Sequence, residues 1–208
     1  MRRSAISCLV ILMVLLCFQP TVYARGSGEM SLWGGYSRSS GTYLDRLAEE
    51  IPEPVKRDQY AAGLDLWGGE KLQIGFTFCV NSVYSYDKTM KATQSGDVWT
   101  KGGAVDHSFE LNYITLPLMA NFRLMLTDKL YIGGGTGYHI DLVTPQIDGV
   151  PYLRYGDMGI SAQAIAGYNL QLTEVLHLGF SFRAIWGFEQ KNVFVSYVPA
   201  IALTAIVH

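Results

Sequence analysis

The chain has 208 residues, with 16 Lys and Arg against 18 Asp and Glu. Its formal net charge of −2 and lack of a basic run exclude the electrostatic footprint of a nucleic-acid-binding protein. Hydrophobic residues make up 49% of it and charged residues 16%, well under the roughly 25% of an average soluble domain, so disorder is excluded and the charge that normally coats a water-facing surface is missing.

The first segment reads as a targeting signal. Arg2 and Arg3 precede an apolar run over residues 5–18, Gln19-Pro20 interrupts it, and Val22-Tyr23-Ala24 suits a signal peptidase. A membrane-anchoring helix needs ~20 apolar residues and this run is shorter. Leu16 before Cys17 is too bulky for a lipoprotein signal. Residues 1–24 are therefore expected to be a cleaved signal peptide and residues 25–208 a single barrel domain. Cleavage leaves Cys79 as the one cysteine, so no internal disulfide staples the mature chain.

Period-two alternation recurs from there on. A strand is expected at 30–37, then a long polar connection at 38–58, with one short helix over Tyr43-Leu44-Asp45-Arg46-Leu47-Ala48 that Pro52 and Pro54 stop. A strand at 60–67 turns tightly through Gly68-Gly69-Glu70-Lys71 into the clearest alternation of the chain. There Leu72, Ile74, Phe76, Phe78 and Val80 interleave with Gln73, Gly75, Thr77, Cys79 and Asn81. A polar loop over 88–107 leads to a strand at 108–124, and a tight turn at 125–129 leads to one at 130–142. A loop over 144–157 precedes strands at 160–172 and 176–188, which Thr173-Glu174 joins. A short link at 189–192 enters the last strand, 193–207.

This pattern predicts an all-β, eight-stranded antiparallel up-and-down transmembrane β-barrel, with turns at one end and loops at the other. Counting charge decides which face meets lipid. Of 22 polar-parity positions in the four clearest strands only Asp141 and Arg183 are charged, whereas a solvated surface carries ~25–35%. The apolar parity carries none. The polar face is therefore expected to fill a narrow lumen and the apolar face to meet hydrocarbon.

The segment Tyr113-Ile114-Thr115-Leu116-Pro117-Leu118-Met119-Ala120-Asn121-Phe122-Arg123 resembles the fourth strand of the porin-T-type outer-membrane barrels common in Bacteroidetes, with its tyrosine, its aliphatic-Pro-aliphatic core and its closing aromatic. The resemblance implies an integral outer-membrane barrel and no particular activity, because that family is functionally diverse. The chain departs from such barrels in ending Ile206-Val207-His208 and in placing Pro199, which removes a ladder hydrogen bond, inside the closing strand.

Candidate chemistry is sparse. His139 and His177 share the lumen parity but sit at opposite ends of their strands, more than ~20 Å apart, so no metal site is expected. His107, Ser108 and Glu110 contain the residue types of a hydrolytic triad, yet adjacent strand residues point to opposite faces, so no catalytic site is expected either. Gly133-Gly134-Gly135-Thr136-Gly137 lacks the lysine and helix of a phosphate loop and instead makes room for large lumen neighbours, while Cys79 reads as a small filler. No cofactor is expected. Tyr84, Tyr86, Tyr138 and Trp186 near the loop end and Tyr168 near the turn end are candidates for interfacial girdles.

The candidate site is a lumen polar network of Asp65, Arg123, Gln73, Arg183 and Asp141. Asp65 and Arg123 are expected to form its central ion pair, with Arg123 reaching across the gap left by Gly75. The function expected is a non-catalytic barrel of structural or surface-interaction type in the cell outer membrane, a Gram-negative envelope component. Its partners are outer-membrane lipid and a protein engaged through the loops, with no nucleic acid. The alternatives are a lipid-acting outer-membrane enzyme and a soluble lipocalin-like periplasmic carrier of an apolar ligand.

Overall fold

A computed structural model describes residues 28–41, 56–95, 98–151, 155–189 and 192–207. The signal segment and the short helix expected at 43–48 lie outside these residues. Eight long strands follow in order: β1 (Gly28–Ser40), β2 (Asp58–Gly68), β3 (Leu72–Ser95), β4 (Val105–Met125), β5 (Leu130–Ile147), β6 (Tyr155–Gln171), β7 (Leu176–Glu189) and β8 (Asn192–Val207). Each pairs antiparallel with the next and β8 pairs with β1, which closes the all-β barrel. No helix occurs among the described residues.

The registers define the geometry of closure. Following paired residues once around from Gly28 through Gly68, Ile74, Phe122, Gly134, Ala164, Ala184 and Tyr197 returns to β1 at Arg38, ten residues along. A stagger of that size over eight strands tilts them about 40° from the barrel axis. Alternation then sorts the side chains. Ile74, Phe76, Phe122, Phe182 and Ile201 project outward and are exposed, while Thr77, Asn81, Thr115, Gln163 and Arg183 project inward and are buried.

Two prolines interrupt the ladders, each on one side only. Pro199 keeps its register with Phe182 of β7, but pairing with β1 is lost at Tyr36 and Ser37 and resumes at Arg38 opposite Tyr197. Pro117 likewise stays opposite His139 of β5 while pairing with β3 is lost at Cys79 and Val80. A proline nitrogen without hydrogen removes one ladder bond, and in an antiparallel pair that bond serves two neighbouring positions. The closing strand thus tolerates Pro199 at the cost of one local gap.

Two of the expected loops are largely strand. Residues 88–107 were expected to be irregular, but β3 runs on to Ser95, pairs with the short strand Val98–Lys101, and is joined by β4 from Val105. Likewise β5 continues through Thr144 to Ile147, and Asp148-Gly149 turns the chain so that Val150–Pro151 pairs back on Gln146 and Ile147. Asp148 and Gly149 have φ of 52° and 76°, the two positive values of a type I′ hairpin turn, which Asp-Gly favours. A polar hairpin needs no apolar face when its backbone bonds are satisfied strand to strand.

Candidate functional site

The lumen is filled in layers from the turn end upward. The lowest is a ring of three side chains: Arg123 donates from Nε to Gln73 and from Nη2 to Glu29, and the Gln73 amide donates to Glu29 Oε1 at 2.8 Å. The Arg123 guanidinium lies between aromatic faces, 4.6 Å from the Trp67 ring centre and 4.9 Å from that of Tyr131. Such stacking suits a planar, delocalised cation held away from water.

The next layer is a forked ion pair. Arg183 donates to both oxygens of Asp65, Nη1 to Oδ1 at 3.2 Å and Nη2 to Oδ2 at 2.5 Å, and both residues are 2% exposed. Asp65 Oδ1 also accepts from the Thr77 hydroxyl at 2.6 Å and from the Trp33 indole at 3.2 Å, while the Arg183 guanidinium sits 4.0 Å over the Trp33 ring. Thr77 in turn accepts from Asn121 at 2.8 Å and Gln163 at 3.1 Å. Every strong acceptor of this charged pair is therefore met, the condition under which a buried pair is tolerated.

All five expected network residues are inward and buried, but their pairing differs from expectation. Arg123 is paired with Glu29 and Asp65 with Arg183, so the Asp65–Arg123 pair does not form. The reason is Trp67. Its indole lies against the face of Gly75, in the space through which Arg123 was expected to reach, and it holds the guanidinium at the lower level. Glu29 lies one residue before the expected start of the first strand, although the inward series Glu29, Ser31, Trp33 is visible as alternation once the strand is extended.

Asp141 lies nearer the loop end. His139 Nε2 stands 3.2 Å from Asp141 Oδ2, and His139 Nδ1 is 2.8 Å from the Ser161 hydroxyl. Ser161, His139 and Asp141 are each at most 2% exposed, and the His139 ring packs on Gly159, where a Cβ would meet it at 2.4 Å. All three side chains are thus closed off from solvent within the lumen. His177 lies far down β7 on the turn side. Among the glycines of β5, Gly135 makes room for Asn121, whose Oδ1 would stand 1.8 Å from a Cβ there.

Above these, Val83, Tyr84, Tyr113 and Phe194 close the lumen as an apolar plug, with Tyr84 and Tyr113 stacked at 5.2 Å. Tyr84 was expected on the outer girdle. A bulge between Ser82 and Tyr84 adds one residue to β3 and turns Tyr84 inward. Tyr138 and Tyr168 are exposed on the exterior as expected, and Tyr36 and Tyr60, which pair edge to face at 6.4 Å, join the loop-end rim. Cys79 is fully buried among Trp33, Met119 and Ile185. Near the start of β4, opposite Met90, His107 Nδ1 lies 2.7 Å from Asp148 Oδ2, and the Ser108 amide donates to Asp148 Oδ1 at 2.8 Å. His107 thus engages a turn residue of the neighbouring hairpin.

No family model matches the chain, and no curated protein matches it. Among solved structures it is similar to Ail, the attachment invasion locus protein of Yersinia pestis, in complex with the heparin analogue sucrose octasulfate, at 9% identity and a TM-score of 0.48 over 86% of this chain and 98% of that one. It is similar to Neisserial surface protein A at 9% identity and a TM-score of 0.49, over 87% and 99% of the two chains. The N-terminal β-barrel domain of Pseudomonas aeruginosa OprF gives 11% identity and a TM-score of 0.39, over 86% and 99%. At such identities no lumen residue is carried across from these small barrels.

Proposed function

We propose that the chain is an integral outer-membrane β-barrel that conducts nothing, catalyses nothing, and presents its long hairpins at the cell surface as a structural or interaction scaffold. The observation that carries this is the sorting of charge by face. From Met30 to Tyr36, Tyr60 to Gly68, Leu72 to Val80 and Ile114 to Leu124 the outward positions carry no formal charge, whereas Glu29, Asp65, Arg123, Asp141 and Arg183 are all turned inward. At ~3.3 Å per residue and a tilt of about 40°, the β3 and β4 segments span roughly 23–28 Å, the height of an outer-membrane apolar band.

A soluble carrier would need the opposite arrangement, a charged exterior around an empty apolar interior. The stacked layers from Arg123 to Phe194 occupy that interior instead. Beyond the band, β3 continues to Ser95 and β4 begins at Val105, so the hairpin they form projects past the loop-end rim and is the natural surface for a protein partner.

Fractionation of the producing cell tests the reading. The protein is expected in the outer-membrane pellet after osmotic shock and to migrate faster on a gel unheated than boiled. Release with the soluble periplasmic fraction overturns it. Lipid A of identical mass with and without the gene is the outcome expected for a non-catalytic barrel.

A further inference from the structure

The gap at Pro199 coincides with an open groove in the barrel wall, and the two together have the features of a ligand site. Pro199 stays registered with β7 and loses pairing only toward β1, so its hydrogen-less nitrogen faces β1 and the Tyr36 carbonyl opposite lacks its ladder donor. A groove of about 510 Å³ opens at this point, lined by Gly34, Tyr36, Phe180, Pro199 and Ile201. Gly34 leaves it room: a Cβ there would meet nothing closer than 3.9 Å.

Depth identifies the occupant. Gly34, Tyr36 and Arg38 follow one another on the outward face of β1, and Arg38 is close to Asp58 at 3.8 Å, with side chains 74% and 53% exposed. The charged pair and the Tyr36–Tyr60 rim mark the boundary between headgroups and hydrocarbon, so the Tyr36 carbonyl lies just inside it. An unsatisfied carbonyl in hydrocarbon is costly, and the first carbons of an acyl chain are the part of a lipid found at that depth.

We propose that this seam binds one outer-leaflet lipid through an acyl chain that carries a hydroxyl near its carboxyl end. The hydroxyl donates to the Tyr36 carbonyl in place of the missing proline N–H, and the chain runs down the groove over Gly34 between Phe180, Pro199 and Ile201. No covalent step is involved. The site rests on the membrane reading above, but adds to it a preference that an ordinary bilayer-facing wall lacks.

The test uses the full mature chain in nanodiscs containing equal amounts of two matched phosphatidylethanolamines, one with 3-hydroxymyristoyl and one with plain myristoyl chains. Lipid retained after detergent exchange is counted by native mass spectrometry. The hydroxylated lipid is expected at about fivefold excess, the worth of one net hydrogen bond. Pro199→Ala restores the N–H donor and is expected to bring the ratio to about one. Pro117→Ala restores the corresponding bond to Cys79 at a different seam and leaves the ratio unchanged, while Gly34→Leu fills the groove and abolishes retention of both lipids. A ratio near one in the unmodified protein, or an unchanged ratio in Pro199→Ala, overturns the site while leaving the barrel reading standing. Failure of the chain to enter nanodiscs at all overturns both.

Discussion

Asp65 and Arg183 illustrate how much the lumen depends on single side chains. Both are buried, and the pair is tolerated because Thr77, Trp33 and Ser181 contribute the remaining hydrogen bonds. Removing one partner leaves the other charge buried and unmatched, so Asp65→Ala is expected to destabilise the barrel by ~3–5 kcal/mol, and Asp65→Ala with Arg183→Met to recover part of that loss. Thermal unfolding in micelles measures both. Combining Asp65→Ala with Arg123→Met is expected to recover nothing, since Arg123 answers to Glu29; recovery there would restore the cross-lumen pair that parity alone suggests. At the surface, the hydrogen bond from His107, followed by that from the Ser108 amide, holds the Asp148 carboxyl below its ordinary pKa. A depressed carboxyl contributes stability above its ordinary titration range and loses it as pH falls through the lowered value. The protection of the Ser108 amide, its exchange rate relative to a free amide at the same pH, is therefore expected to be lost in acid below the usual carboxylate range. In Asp148→Ala the exchange is expected to be fast at neutral pH already.

Each strand had to satisfy two demands, a continuous ladder and a fixed pair of faces, and the elements show where these compete. The strands at 30–37, 60–67, 130–142, 160–172, 176–188 and 193–207 were legible because alternation of period two is local. The bulge at Ser82/Tyr84 was not, because an inserted residue is defined only by the partner strand opposite it. It reverses parity for the rest of β3, which moved Tyr84 from the expected rim into the plug. The polar ends of β3, β4 and β5 carry no local strand signal for a related reason: outside the apolar band, strand pairing continues on backbone bonds without any hydrophobic pattern to reveal it. This gives the extension a testable independence. Replacing residues 90–107 with Asn-Gly, so that Thr89 and Ser108 remain paired, is expected to leave heat-modifiable migration intact and shift the unfolding temperature by only a few degrees. A barrel that no longer assembles would mean that the hairpin is part of the fold's foundation.

For the molecule as a whole, eight strands staggered by ten residues enclose a bore just wide enough to be filled by side chains. The filling runs in layers from the Glu29–Gln73–Arg123 ring through the Asp65–Arg183 pair to the Tyr84–Tyr113–Phe194 plug. Purified protein in a planar bilayer is accordingly expected to give no stable single-channel steps, and Tyr84→Ala alone to give none either, because the layers beneath it still block the path. Sustained conductance from the unmodified protein would rule out the sealed lumen. The amino-acid sequence by itself determined the class of fold, the number of strands, the end at which the turns lie, and the inward parity of Asp65, Gln73, Arg123, Asp141 and Arg183, since all of these follow from alternation and turn chemistry along the chain. Only the tertiary structure decided which charges meet, that Trp67 fills the space beside Gly75, that Pro199 opens a seam against Tyr36, and that Tyr84 turns inward. Those depend on the stagger between strands, which brings residues far apart in the chain to one level and leaves no trace within any single strand.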